Sequence, residues 1–116
     1  YVLAIASQEL ANLGSVNVVE AMSNILEDLV RGELMQLGTK EKENERFNHY
    51  SLKTYRKTAS LIANSCKSVA YLLVEKENHR IGKAKLETHE DVLVNLAFEC
   101  GKNIGIAFQL IDDVLD

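Results

Sequence analysis

The run Gly105-Ile106-Ala107-Phe108-Gln109-Leu110-Ile111-Asp112-Asp113-Val114-Leu115-Asp116 decides the reading of this chain, because it sets three carboxylates into an otherwise apolar stretch. At about 3.6 residues per turn, Gln109, Asp112, Asp113 and Asp116 fall on one stripe of a helix. Ile104, Ile106, Ala107, Phe108, Leu110, Ile111, Val114 and Leu115 occupy the remaining faces, the pattern of a helix buried on nearly every side. The acidic stripe is therefore expected to line an internal cavity. Three carboxylates within about one turn repel one another unless cations lie between them. With oxygen ligands only, and no His or Cys beside them, the fitting cation is a hard one. Magnesium takes one or two carboxylates, keeps several waters and completes its shell with phosphate oxygens. The chemistry implied is a magnesium-dependent clamp for a diphosphate, with Gln109 holding a carboxylate or a phosphate-bound water in place. A solvated acidic helix face is the ordinary alternative, and the flanking aliphatics argue against it.

The composition favours an all-α chain. Its 116 residues, 47% of them hydrophobic, suit one domain with a single core. Proline is absent, where average usage of about 5% would place roughly six, so long uninterrupted helices are favoured. A formal charge of -4 and the lack of a basic amphipathic stretch speak against nucleic acid and a membrane surface as partners. No run of 18 consecutive apolar residues, signal peptide or transit-like segment occurs. Cys66 and Cys100 have neither C-x-x-C nor metal spacing and read as small core residues in a reducing compartment. His49, His79 and His89 share no metal spacing and read as surface residues. Tyr1-Val2-Leu3-Ala4-Ile5-Ala6 begins as though already inside a helix and Asp116 is followed by no cap, so the chain reads as a fragment.

Periodicity places the helices. Leu3, Ala6, Leu10 and Leu13 mark one over residues 2–13, stopped by Gly14. Ser15 or Asn17 caps a second, in which Val18, Met22, Ile25, Leu29, Glu33 and Gln36 recur at threes and fours up to Gly38. Residues 39–48 carry mixed charge with weak periodicity and read as a loop or helix end. A third helix over about 51–74 aligns Leu52, Tyr55, Ala59, Ile62, Cys66, Val69 and Leu73. Residues 75–87 read as a polar surface excursion. A capping box at Thr88-His89-Glu90-Asp91 then starts a long final helix through Leu93, Leu96, Ala97, Cys100, Ile104, Ala107, Phe108, Ile111 and Leu115. Gly101 and Gly105, four apart, admit close approach of a neighbouring helix.

Lys57 and Thr58 lie beside the stripe of the third helix. Alone they suggest only a snorkelling lysine and a helix hydroxyl. Together with the acidic stripe they supply what a diphosphate site requires, a fixed cation and a hydroxyl donor from a facing helix. Glu33 and Gln36, one turn apart after Arg31-Gly32, form either a third polar wall that contacts substrate or an ordinary polar helix end.

Three blocks in order, Glu27 to Gly38, Tyr55 to Lys67 and Gly101 to Asp116, resemble the trans-polyprenyl diphosphate synthases. Through Glu43-Asn44-Glu45-Arg46-Phe47 and the Lys57 block the likeness is particularly to the catalytic subunits of the eukaryotic decaprenyl and solanesyl synthases, which serve ubiquinone biosynthesis. The resemblance implies the isoprenoid synthase fold, a bundle of long antiparallel helices around a central cavity, with two aspartate-rich motifs on opposite walls. Residues 1–116 would be a partial domain in which Asp112, Asp113 and Asp116 match the second motif, while the first would lie upstream of Tyr1.

By that resemblance the protein is a prenyltransferase condensing isopentenyl diphosphate with an allylic diphosphate, farnesyl or geranylgeranyl, into a long all-trans product. Magnesium would bridge the aspartates to the allylic diphosphate, with Lys57, Thr58 and Gln109 contacting it. A mitochondrial location and a homo-oligomer, or a hetero-oligomer with a second synthase subunit, are implied likewise. The 116 residues alone are expected to be inactive. A non-catalytic regulatory subunit and a terpene cyclase of the same fold are the alternatives; the intact D-D-x-x-D and Lys-Thr disfavour the first, the Lys57 block the second.

Overall fold

The computed structural model describes residues 1–36, 43–81 and 87–116. Gly14, at φ +70°, takes the left-handed conformation that suits glycine and ends α1 (Val2–Asn12). Ser15 then starts α2 (Val16–Gln36), its hydroxyl accepting the Val18 backbone N–H at 3.2 Å. That hydroxyl also donates to Glu75 Oε1 at 2.7 Å, and Asn17 donates to the same oxygen at 3.1 Å. The corner expected at Gly14 and Ser15 is therefore present.

A single rod follows. α3 (Glu43–Thr54), a π-helical turn (Tyr55–Ala59) and α4 (Ser60–Ile81) run on without a break, and α5 (Glu87–Leu115) returns alongside. Ser15 meets Glu75, Asp28 meets Ser60 and Gly32 meets Lys57, so α2 lies antiparallel to the rod. Gly101 meets Ala63 and Gly105 meets Ala59, so α5 is antiparallel to it as well. Among the described residues there is no strand, and no helix is long and apolar enough to cross a membrane. The chain is the all-α, antiparallel helical assembly expected from its sequence.

Small residues hold the rod between its neighbours. A Cβ on Gly101 would lie 2.8 Å from both the Ala63 Cα and the Ile62 carbonyl oxygen, which means that the α4 and α5 backbones touch. The facing residues Ala59, Ala63 and Ala70 are buried, as are Thr54, Ser60, Asn64 and Ser68. Their polar atoms are satisfied locally. Ser60 donates to Asp28 at 2.5 Å, Asn64 donates to the Ser60 hydroxyl and carbonyl at 3.0 Å each, and Ser68 donates to the Asn64 carbonyl at 2.7 Å. Between the rod and α5, Tyr55 of the π-helical turn meets Phe98 edge-on at 6.3 Å, and Lys67 of α4 lies 5.5 Å from the Phe98 ring centre.

Several expectations need correction. Of the loop or helix end read over residues 39–48, residues 43–48 take the helical alternative as the start of α3, and α4 runs to Ile81 instead of ending near 74. The Lys and Glu residues there are good helix formers that weak apolar periodicity concealed. The stripe drawn through Leu52, Val69 and Leu73 is wrong, since all three are exposed. The rod is gripped on two flanks at backbone distance, so its buried positions go to Ala and Ser. Cys100 is exposed and Cys66 half-buried, so neither is a fully enclosed core residue. The end of α5 is not buried on nearly every side: Ile104, Phe108, Ile111 and Leu115 are exposed, because among the described residues only the rod packs against this helix. Gly38, the segment 82–86 and the side chains of the Thr88–Asp91 capping box lie outside the described residues.

Candidate functional site

The π-helical turn carries Lys57 and Thr58. Such a turn widens the helix by one residue and often marks functional positions. Here it swells the rod where α2 and α5 pass on either side. Gly32 makes room on the α2 side, where a Cβ would lie 2.9 Å from the Lys57 Cγ. Lys57 Nζ sits 3.6 Å from Glu33 Oε1, the lysine side chain half-buried and the glutamate largely exposed. On the α5 side the Thr58 hydroxyl donates to Gln109 Oε1 at 3.0 Å. Gln109 Nε2 donates in turn to Asp113 Oδ1 at 2.8 Å, and the Tyr50 hydroxyl of α3 donates to Asp113 Oδ2.

Tyr50, Lys53, Thr54, Lys57 and Thr58 on the rod and Gln109 and Asp113 on α5 enclose a cleft of about 200 Å³. Two ammonium groups, three hydroxyls and one amide surround a single carboxylate, so the cleft favours an anion that can also accept hydrogen bonds. The Tyr50 hydrogen bond, the Gln109 amide and the Lys53 charge hold the Asp113 carboxyl below the usual carboxylate range. The same hydrogen bond to Asp113, with desolvation, pushes the Tyr50 phenol up.

Of the residues singled out from the sequence, the structure brings Lys57, Thr58, Gln109 and Asp113 into this cleft. Glu33 reaches Lys57 from α2, and the Gln36 side chain lies outside the described residues. Asp112 and Asp116 are exposed and do not line the cleft. At about 100° per residue the acidic stripe spans some 100° of the helix, with Asp113 at one edge toward Tyr50 and Asp112 at the other. Asp116 points nearly as Gln109 does but lies about 10 Å further along the axis. The single inward stripe expected from the sequence is thus divided, and its carboxylates face an open surface instead of an internal cavity. Tyr50, Lys53 and Thr54 were missed. They precede Lys57 by seven, four and three residues, a helical spacing that places them on its face.

All 116 residues match a family model described as polyprenyl synthetase. This chain belongs to the polyprenyl synthetase family. The mouse all trans-polyprenyl-diphosphate synthase PDSS1 is 53% identical across 99% of the chain and 25% of the mouse protein. Rice solanesyl-diphosphate synthase 1, mitochondrial, is 44% identical across the whole chain and 24% of the rice protein. The solved apo form of an Arabidopsis medium/long-chain length prenyl pyrophosphate synthase superposes with a TM-score of 0.76 at 43% identity, over 98% of this chain and 33% of that one. The chain therefore spans about a quarter of the length of the curated relatives it matches.

The acidic end of this polyprenyl synthetase segment suits magnesium in its donor chemistry. Asp112, Asp113 and Asp116 offer oxygen alone, on one exposed helix end beside a cleft with phosphate-compatible donors. Among the described residues no three His, Cys, Asp or Glu side chains already converge as a ligand cluster. Magnesium does not need one, since waters and substrate oxygens complete its octahedron around one or two carboxylates.

Proposed function

We propose that the complete protein carrying this segment is a prenyltransferase. It condenses isopentenyl diphosphate with an allylic diphosphate, farnesyl or geranylgeranyl, into a long all-trans polyprenyl diphosphate, the precursor of the ubiquinone side chain. The observation that carries this reading is the convergence of Lys57 and Thr58, on the π-helical turn, with Gln109 and Asp113 around one cleft. The likeness to named polyprenyl, solanesyl and hexaprenyl synthases supports the long product, and mitochondrial names among them support that location. The segment contributes the second aspartate-rich motif of the domain, in an assembly of like subunits or with a second synthase subunit.

Lys57 places a positive charge against the allylic diphosphate. The Thr58 hydroxyl rotates about its C–O bond, so it can turn from Gln109 to a phosphate oxygen. Gln109 keeps one contact, its amide on Asp113, while its carbonyl becomes available to a phosphate-bound water. Glu33 balances the Lys57 charge in the free site and gives it up to the diphosphate. When bound through Asp112, Asp113 and Asp116, magnesium supplies further positive charge against the departing diphosphate. The allylic C–O bond breaks with its electron pair leaving on the diphosphate, whose growing charge Lys57 and Thr58 stabilise more strongly than in the ground state. The isopentenyl double bond attacks the allylic cation, and loss of a proton restores a double bond in the lengthened chain. No side chain is needed as a nucleophile.

The test is incorporation of labelled isopentenyl diphosphate into farnesyl diphosphate by the complete protein with magnesium, alone and with its candidate second subunit, followed by product sizing. Long prenyl products are expected. No incorporation by folded protein in either mixture overturns the reading in favour of a regulatory subunit or a cyclase.

A further inference from the structure

We propose that Tyr50 is a positioning residue of this cleft: its hydroxyl, reaching across from α3, fixes the Asp113 carboxylate and holds α3 and α5 in one geometry around Lys57 and Thr58. The inference rests on the functional reading of the cleft given above.

Both Asp113 oxygens are engaged, Oδ1 by Gln109 from its own helix and Oδ2 by Tyr50 from α3. A carboxylate held by one donor swings about its χ angles; held by two donors from different helices, it has a single orientation. That orientation propagates. An ionised Asp113 accepts only, so it must face the Gln109 amide N–H, which turns the Gln109 carbonyl toward Thr58. Tyr50, Asp113, Gln109 and Thr58 thus form one directed chain from α3 through α5 to the π-helical turn. The Tyr50 ring also carries the Lys53 ammonium, 5.9 Å from its centre, so one residue orients an anion and a cation of the cleft. Contact between the backbones of α3 and α5 is sparse, so this hydrogen bond is a polar tie between two helices that otherwise pack little against each other.

Tyr50→Phe keeps the ring and its cation contact and removes only the hydroxyl. In the complete protein the variant is expected to lose about 10–100-fold in kcat, the usual effect of removing an orienting partner. KM for isopentenyl diphosphate should stay within about twofold, because the groups of this cleft are assigned to the allylic diphosphate. Amide hydrogen exchange in substrate-free protein should quicken over residues 50–58. Combined with Asp113→Asn, the variant should show no loss beyond that of Asp113→Asn alone. Wild-type kcat, unchanged exchange over residues 50–58, or losses that multiply in the double variant would each overturn the assignment. Inactive wild-type protein would count against the prenyltransferase reading instead, and the exchange comparison would still decide the role of Tyr50.

Discussion

Gly105 lies so close to Ala59 that a Cβ on the glycine would sit 2.6 Å from the Ala59 Cα and 2.9 Å from its Cβ. Ala59 closes the π-helical turn and is fully buried, while Gly105 stands one helical turn before Gln109. Thr58, the neighbour of Ala59, reaches Gln109 at 3.0 Å only because the two backbones meet here. An apolar contact between two of the smallest residues thus sets the reach of the polar site.

Gly105→Val is accordingly expected to lower stability by about 1–3 kcal/mol, the usual cost of overpacking. The gain in helix propensity over glycine offsets less than about 1 kcal/mol of that. The added side chain meets backbone, which cannot rotate away, so α5 must move outward and stretch the Thr58–Gln109 bond. Urea unfolding of the variant measures the loss; a midpoint equal to wild type would show that the seam yields freely.

Ser60 is the hinge of the buried polar cluster between α2 and α4. Its hydroxyl donates to Asp28 and accepts from Asn64. Ser60→Ala leaves a half-buried carboxylate and a buried amide each short of one partner, at an expected cost of about 1–3 kcal/mol. A double-mutant cycle with Asp28→Asn should show coupling between the two positions, and simple additivity would argue that Ser60 acts only through packing.

The sequence made the helices and the residue chemistry legible, and left geometry between helices largely hidden. Gly14, Ser15, Gly101 and Gly105 were readable because each has a local physical signature: a left-handed stop, a hydroxyl cap, and missing side chains at helical spacing. Lys57, Thr58, Gln109 and Asp113 were readable because charged and hydroxyl groups beside aliphatic stripes call for partners. The π-helical turn has no comparable signature, and it shifts the face that the rod presents. Val69 and Leu73 were therefore placed inward, whereas Ala and Ser occupy the buried seam. Tyr50 escaped notice because its partner Asp113 lies 63 residues away, beyond any local pattern. The acidic residues were placed on one inward stripe because a helical projection shows angle but neither distance along the axis nor the side from which a neighbour approaches.

The acid limb of stability should report the bond between Tyr50 and Asp113. Asp113 is held below the usual carboxylate range by the Tyr50 hydrogen bond first, then by Gln109 and Lys53. A carboxyl depressed in the folded state stabilises it above the unfolded pKa, and this contribution fades as pH falls through the lower folded value. Carbon NMR of the Asp113 carboxyl should therefore give a midpoint below that of an unfolded aspartate, rising toward the ordinary value in Tyr50→Phe. A midpoint unmoved by the substitution would mean that the phenol does not hold the carboxylate in solution.

Asp112 separates chemistry from folding. Its side chain is exposed near the end of α5, so Asp112→Ala removes no core contact and should leave the unfolding midpoint within about 0.5 kcal/mol of wild type. If it serves the diphosphate through magnesium, turnover in the complete protein should nevertheless fall by most of its value. Wild-type turnover would remove Asp112 from the metal-holding set.

Glu33 and Lys57 divide in the same way, with opposite consequences for the two partners. Their 3.6 Å pair is partly exposed on the lysine side and mostly exposed on the glutamate side, so solvent screens it and breaking it should cost at most about 1 kcal/mol. On the proposed function, Lys57→Ala should thus fold normally and still lose activity on the order of 100-fold, since Lys53, the other ammonium of the cleft, is already engaged with the Tyr50 ring and the Asp113 charge. On the same reading, Glu33→Gln removes an anion that would compete with the diphosphate for Lys57, so KM for the allylic substrate should hold or fall. A rise in that KM would instead assign Glu33 a direct place in substrate binding, because a counter-ion that yields to the diphosphate can only oppose its entry.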